Sequence, residues 1–143
     1  MRFKDVFSII GPAMTGPSSS HTAGAVRLAR VARHWLGMQP DRARMTLYGS
    51  FADTYKGHGT DLALIAGLLN YDTDDHRIPD AEQWAAQAGM AVEFAVSGLP
   101  APHPNTVRFE LWKGEDQRTL LGSSIGGGSI HVQQLNEFRV NLT

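Results

Sequence analysis

The chain has 143 residues, 42% of them hydrophobic, enough for one domain that buries about two-thirds of the surface its unfolded form exposes. A formal charge of −1 and a pI near 6.6 leave no field to gather a phosphate backbone, and the basic residues do not cluster with aromatics, so nucleic acid is not an expected partner. The absence of cysteine excludes disulfides and thiolate metal ligands from this chain. The start MRFKDVFSIIGP and the longest apolar run, LALIAGLL, have the form of neither a secretory signal nor a membrane span, so a soluble, cytoplasmic protein is expected.

Taken in chain order, the first helix should start within Ser18 to Ser20 and run to about Leu36, with Ala25, Leu28, Ala29, Ala32, Trp35 and Leu36 on one face and Gly37 as its stop. Its other face carries Arg27, Arg30 and Arg33, most simply a solvated row, though an arginine row could also meet an acidic partner. RMTLYGSF alternates as a strand ending in a glycine turn. GHGTDLALIAGLLN opens a second helix capped by Gly59 or Thr60, with Asp61 complementing the positive end of the dipole and Leu62, Ile65, Ala66 and Leu69 as the buried stripe. Asp80 and Gln83 form a capping box for a third helix, which Gly89 ends. MAVEFAVSG with Met90, Val92, Phe94 and Val96 in step, NTVRFELWKG with Val107, Phe109 and Leu111 in step, and RTLLGSSI follow, two of them clear strands, and the tail after the triple glycine 126–128 adds one or two more. No repeat or linker divides the chain, so residues 1–143 read as a single domain. Helices early, strands late and a short link from ELWKG to RTLL predict an α+β fold with a mixed, largely antiparallel sheet and helices packed on it. The extended ending FRVNLT suggests that the natural polypeptide continues.

Three polar clusters sit where elements begin: Ser18-Ser19-Ser20-His21-Thr22, Gly57-His58-Gly59-Thr60-Asp61, and His103-Pro104-Asn105-Thr106. A helix start offers free amides and partial positive charge to a carboxylate, and neutral hydroxyls around it both donate and accept. One serine as a cap and the rest as turn residues is the bland alternative. Arginine, the usual grip on phosphate, is absent from the cluster, which favours a small zwitterion over a nucleotide. His58 lies between two glycines ahead of a helix whose dipole favours the neutral imidazole, able to take a proton. His103, between two prolines, reads best as a rigid turn that delivers Asn105 to a strand edge. No His-x-x-x-His pair supports a zinc site, and no metal ligand is assigned to this chain.

DVFSIIGPAMTGPSSSHTAGAVRLARVAR, YGSFADTYKGHGTDLALIAGLL, HPNT and SIGGGSI, in that order, closely resemble the beta subunit of the iron–sulfur-dependent bacterial L-serine dehydratases over nearly the whole chain. The resemblance implies an ammonia-lyase that converts L-serine to pyruvate and ammonia, with a [4Fe–4S] cluster held by cysteines of a partner alpha subunit, and not by this chain. It implies a fold similar to the allosteric substrate-binding domain of some phosphoglycerate dehydrogenases, with an ACT domain after this point in many family members. On this basis Ser18, Ser19, Ser20 and Thr22 are expected to bind the substrate's carboxylate and amino group, and Thr60, Asp61 and Asn105 to orient groups or complete the pocket. His58 is the expected base or proton donor, with His21 as its rival, while the partner's iron acts on the serine hydroxyl. A homodimer is expected beside the alpha–beta heteromer. The competing reading is a serine-binding regulatory module without catalytic residues of its own.

Overall fold

The computed structural model describes residues 17–54, 59–101 and 103–143, without the side chains of 17–21 and 54. The first helix, α1, spans Pro17–Leu36, one residue ahead of the predicted start. Proline suits a first turn, where its missing N–H leaves no bond unmade. The helix ends at Gly37, whose positive φ of 92° lets its N–H reach back to Arg33 O at 2.9 Å. Ala25, Leu28, Ala29, Ala32 and Leu36 are buried as the periodicity predicts. Trp35 is half-buried and its indole N–H donates to Thr119 O at 3.1 Å, a partner that a buried indole needs.

Next come β1 (Arg42–Tyr48), a short helix α2 (Gly49–Thr54), α3 (Thr60–Leu68), a 3-10 turn at Ile78–Asp80 and α4 (Ala81–Gln87). The remaining strands are β2 (Ala91–Ser97), β3 (Asn105–Lys113), β4 (Asp116–Gly126), β5 (Ser129–Leu135) and β6 (Phe138–Leu142). All six form one sheet in the order β2-β1-β3-β4-β5-β6. Only β1 and β2 are parallel, because the helical crossover returns the chain to the same edge; every other pair is antiparallel. The fold is thus the α+β arrangement with a mixed, mostly antiparallel sheet that the sequence predicts.

The sheet is two-faced. Ala43, Met45, Leu47, Val107, Phe109, Leu111 and Leu120 point into the core beneath the helices. On the opposite face Arg42 pairs with Glu93 at 3.2 Å, Arg44 with Glu110 at 3.9 Å, and the Arg42 guanidinium lies 4.7 Å from the centre of the Trp112 ring. Strict alternation in β1 produces this division, since a one-residue slip would carry Arg44 inside.

Several local expectations fail for identifiable reasons. The turn after β1 is a six-residue helix, α2, too short for periodicity to reveal, with Phe51 fully buried. In α3 the expected stripe is too narrow: Ala63, Leu64, Gly67 and Leu68 are buried as well, because α1 and α4 both pack against it, while Leu62 is only half-buried. Asp80 occupies the N-cap of α4 but its side chain makes no capping bond, so the capping box with Gln83 does not form. The 3-10 turn feeds directly into the helix there. In β2, Val96 is 57% exposed because the strand lies at the sheet edge.

Candidate functional site

The entrance of α1 is pinned to the sheet by two small residues. A Cβ built on Gly24 would lie 2.0 Å from Ser124 Oγ, so the helix seats against the end of β4 at a distance only glycine permits. Ser124 is fully buried on the helix side. Its neighbour Ser123 points to the other side and is also fully buried, with its hydroxyl 2.8 Å from Thr106 Oγ1 and 2.7 Å from the amide of Gln133. Thr106 Oγ1 in turn donates to His103 O.

This chain of polar contacts reaches the His103-Pro104-Asn105 turn. The backbone N–H of Asn105 donates to His103 Nδ1 at 3.1 Å, so this imidazole serves to fix the turn, as its place between prolines predicts. The same turn is tied to the start of α2: Ser50 N donates to Pro104 O at 2.7 Å, and Gly49 bridges to Asn105. Gly49 adopts φ 57°, and a Cβ there would stand 2.3 Å from Pro104 O. One end of the sheet therefore joins the entrance of α1, the tip of β4, the turn before β3 and the start of α2. From α2 the chain leads to Gly59 and Thr60, where α3 begins.

Of the residues singled out from sequence, Ser18, Ser19, Ser20 and His21 stand by their backbone in the first turns of α1. Thr22 is half-buried beside them. His58 lies outside the described residues. Gly59 takes the N-cap position of α3 with φ 78°, one of the two caps expected. Asp61 sits in the first turn, and its Oδ1 accepts from Leu62 N at 2.8 Å. Thr60 is fully buried, and its Oγ1 meets no hydrogen-bond partner among the described residues; the same holds for Asn105 Oδ1. A buried polar atom left unmatched costs about 1–3 kcal/mol, so Asn105 Oδ1 in the turn before β3 and Thr60 Oγ1 at the start of α3 each have bonding capacity unmet among the described residues.

Sequence reasoning passed over Ser123, Ser124 and Gln133. Two consecutive serines inside an otherwise apolar strand were the available signal: strand geometry sends them to opposite faces, one against the helix and one into the clamp on Thr106. Among the described residues no three His, Cys, Asp or Glu side chains gather to hold a metal, and the sequence has no cysteine. The donor set that an iron–sulfur cluster requires is not present in these residues. Among the described residues, no helix is long and apolar enough to cross a membrane.

A family model described as serine dehydratase beta chain matches residues 3–101, which contain both the α1 entrance and the Gly57–Asp61 cluster. The chain belongs to the serine dehydratase beta chain family. It is 50% identical over 143 residues to the probable L-serine dehydratase beta chain of Bacillus subtilis (strain 168) and 44% identical over 139 residues to the L-serine dehydratase beta chain of Peptoniphilus asaccharolyticus. These matches take in 100% and 95% of this chain, which spans 65% and 62% of the length of those relatives. An L-serine dehydratase of Escherichia coli (strain K12) is 32% identical over 141 residues, 80% of this chain and 31% of its own. For a member of this beta chain family, the polar end of the sheet is the candidate site.

Proposed function

We propose that the chain supplies one half of a site that deaminates L-serine to pyruvate and ammonia, completed by a cysteine-bearing alpha chain that holds a [4Fe–4S] cluster. The observation that carries this reading is the convergence just described: Gly24 on Ser124 and Thr106 on Ser123 bring the helix mouth and the Asn105 turn to one end of the sheet. Asn105 Oδ1 has bonding capacity to offer there, and Thr60 Oγ1 has it at the start of α3. The free amides and positive dipole end of α1, with the hydroxyls of Ser18, Ser19, Ser20 and Thr22, suit a carboxylate and an ammonium side by side. Thr60, Asp61 and Asn105 complete the pocket's polar wall.

His58 moves the proton, as base at Cα or as donor to the departing hydroxide, and His21 is the other candidate for either task. A positioned proton-transfer group contributes roughly 10²- to 10⁴-fold. The test is anaerobic reconstitution of the chain with its alpha chain. Pyruvate formation should need both chains, and His58→Ala should lower kcat within that range. Unchanged turnover in His58→Ala and Ser19→Ala would overturn the reading. If the same variants shifted only the serine concentration needed for activation, the chain would instead be a regulatory serine-binding module.

A further inference from the structure

The two edges of the sheet are finished differently. At one, β2 carries Glu93, which pairs with Arg42 at 3.2 Å, and α4 packs alongside, leaving Val92 and Phe94 half-buried. At the other, β6 pairs with β5, and its outer edge meets no further strand among the described residues. Such an edge presents the N–H and C=O groups of alternate residues to any second strand, and proteins usually blunt it with charge, proline or a covering element. Residues 138–142, FRVNL, contain a single charge, Arg139, and no proline.

The side chains of β6 are two-sided like those of the rest of the sheet. Phe138 stands opposite Leu135 and Leu142 opposite Val132, on the face that carries the core, and Val140 between them packs against that core. Arg139 stands opposite Gln134 on the other face, where Asn141 Oδ1 lies 2.6 Å from His131 Nε2. The helices stop short of this last strand. Phe138 is 70% and Leu142 52% exposed, against 7% and 3% for Ile130 and Val132 one strand further in.

We propose that β6 is an interface between two copies of this chain, joined antiparallel about a two-fold axis through Val140 so that the two sheets run on as one. In this register Val140 faces the second copy's Val140, and Phe138 faces the second copy's Leu142 on either side of the axis, so the uncovered stripe closes on itself. An isologous contact requires that what one copy offers the other can receive, and FRVNL read backwards keeps its order of apolar and polar positions. Charge selects the register. Arg139 falls opposite the second copy's neutral Asn141, whereas a register centred on Arg139 sets two guanidinium groups directly against each other, which is destabilising. A register centred on Asn141 leaves Phe138 outside the paired strands. Five paired residues, about 17 Å of strand, make a contact at or below the low end of the ~1,200–2,000 Å² standard size, so the dimer should be weak, with a Kd of roughly 10–100 μM. This interface does not depend on the serine-deaminating reading.

The test is sedimentation velocity on the full chain from about 5 to 500 μM, where a monomer–dimer equilibrium should appear. Phe138→Glu puts a carboxylate against the second copy's Leu142, and Leu142→Lys puts an ammonium against the second copy's Phe138. Each dimer then loses two apolar pairs, so either variant should raise Kd about tenfold. Both side chains are exposed in the single chain, so folding is not at stake. Combining the two substitutions turns both cross-axis pairs into Glu–Lys, and Kd should return to within about threefold of the unaltered chain. Within one chain the two positions lie four residues apart on a strand, about 13 Å, too far to neutralise each other. A chain that stays monomeric throughout, a dimer indifferent to both single variants, or a double variant no better than the singles would each overturn the proposal. If the chain stays monomeric and hydrogen exchange at residues 138–142 slows only on adding the alpha chain, the edge belongs to that partner and the proposal fails. Pyruvate formation is not the readout, so failure here leaves the deaminase reading untouched.

Discussion

Gly24→Ala sets two effects of opposite sign against each other. In an exposed helix interior, replacing glycine by alanine stabilises by about 1 kcal/mol, because it removes backbone freedom from the unfolded chain. At Gly24 the added Cβ would lie 2.0 Å from Ser124 Oγ and 2.7 Å from Ser124 Cβ. Ser124 Cβ cannot retreat, since Ser124 is fully buried on a central strand, and overpacking of this kind costs about 1–3 kcal/mol. The steric term should win, giving a net loss of about 1 kcal/mol and a lowering of Tm by about 3 °C for a chain of this size. Rotation of Ser124 χ1 carries Oγ away but leaves Cβ in the way, so Ser124→Ala should rescue little. Ser124→Gly removes both atoms and should restore most of the loss in the Gly24→Ala background, even though it destabilises the strand by itself. That non-additivity, of order 1 kcal/mol, is the signature of the contact. Urea unfolding of the four chains, unaltered, single and double, measures it. A Gly24→Ala chain stabilised by the full propensity gain would refute the reasoning, because the helix mouth would then not be seated on β4.

Thr106→Val removes the hydroxyl shared by His103 O and Ser123, leaving buried polar atoms unmatched at a cost of about 1–3 kcal/mol, and Thr106→Ser should recover most of it in the same urea assay. Asp75 is held by two-point contact with Arg77 and its pKa is lowered from 3.8 to about 2. A lowered folded pKa means stability present above the unfolded value and lost as pH falls, so the advantage over Asp75→Asn should be constant above pH ~5 and vanish between ~4 and ~2; solvent screening keeps it near 1 kcal/mol. Trp35→Phe keeps the packing but drops the N–H that reaches Thr119 O, and should cost about 1 kcal/mol by thermal unfolding.

The parts of the fold that were legible in the sequence are those where one local rule acts alone. Alternation in RARMTLY fixes which residues of β1 face the core, and the helical period in α1 fixes its buried row. The parts that were not legible depend on two elements at once. Leu62 and Leu64 are equally apolar, and only the packing of α1 and α4 on α3 decides that Leu64 is fully buried while Leu62 is not. Asp80 has the residues of a capping box, yet the preceding 3-10 turn takes over that position. The same distinction divides the site. The hydroxyl-rich mouth and the His-Pro-Asn turn announce themselves by composition, while Ser123 and Ser124 acquire meaning only when β4 is placed under Gly24 and beside Thr106.

Helical register then explains why five consecutive polar residues stand at the mouth of α1 where one would cap it. Positions 18, 21 and 22 continue the row of Ala25, Leu28, Ala29 and Ala32, the row that lies over the sheet. Position 19 continues the row of Ala23 and Val26, where α3 crosses closely enough that a Cβ on Gly67 would stand 2.4 Å from Val26 O. Position 20 continues the outward row of Arg27, Val31 and His34. A run of five spans more than a full turn of 3.6 residues, so it occupies every row of the helix at its first turns. Substitutions should therefore separate by row: positions 18, 21 and 22 continue the sheet-side row, position 19 the row facing α3, and position 20 the outward row.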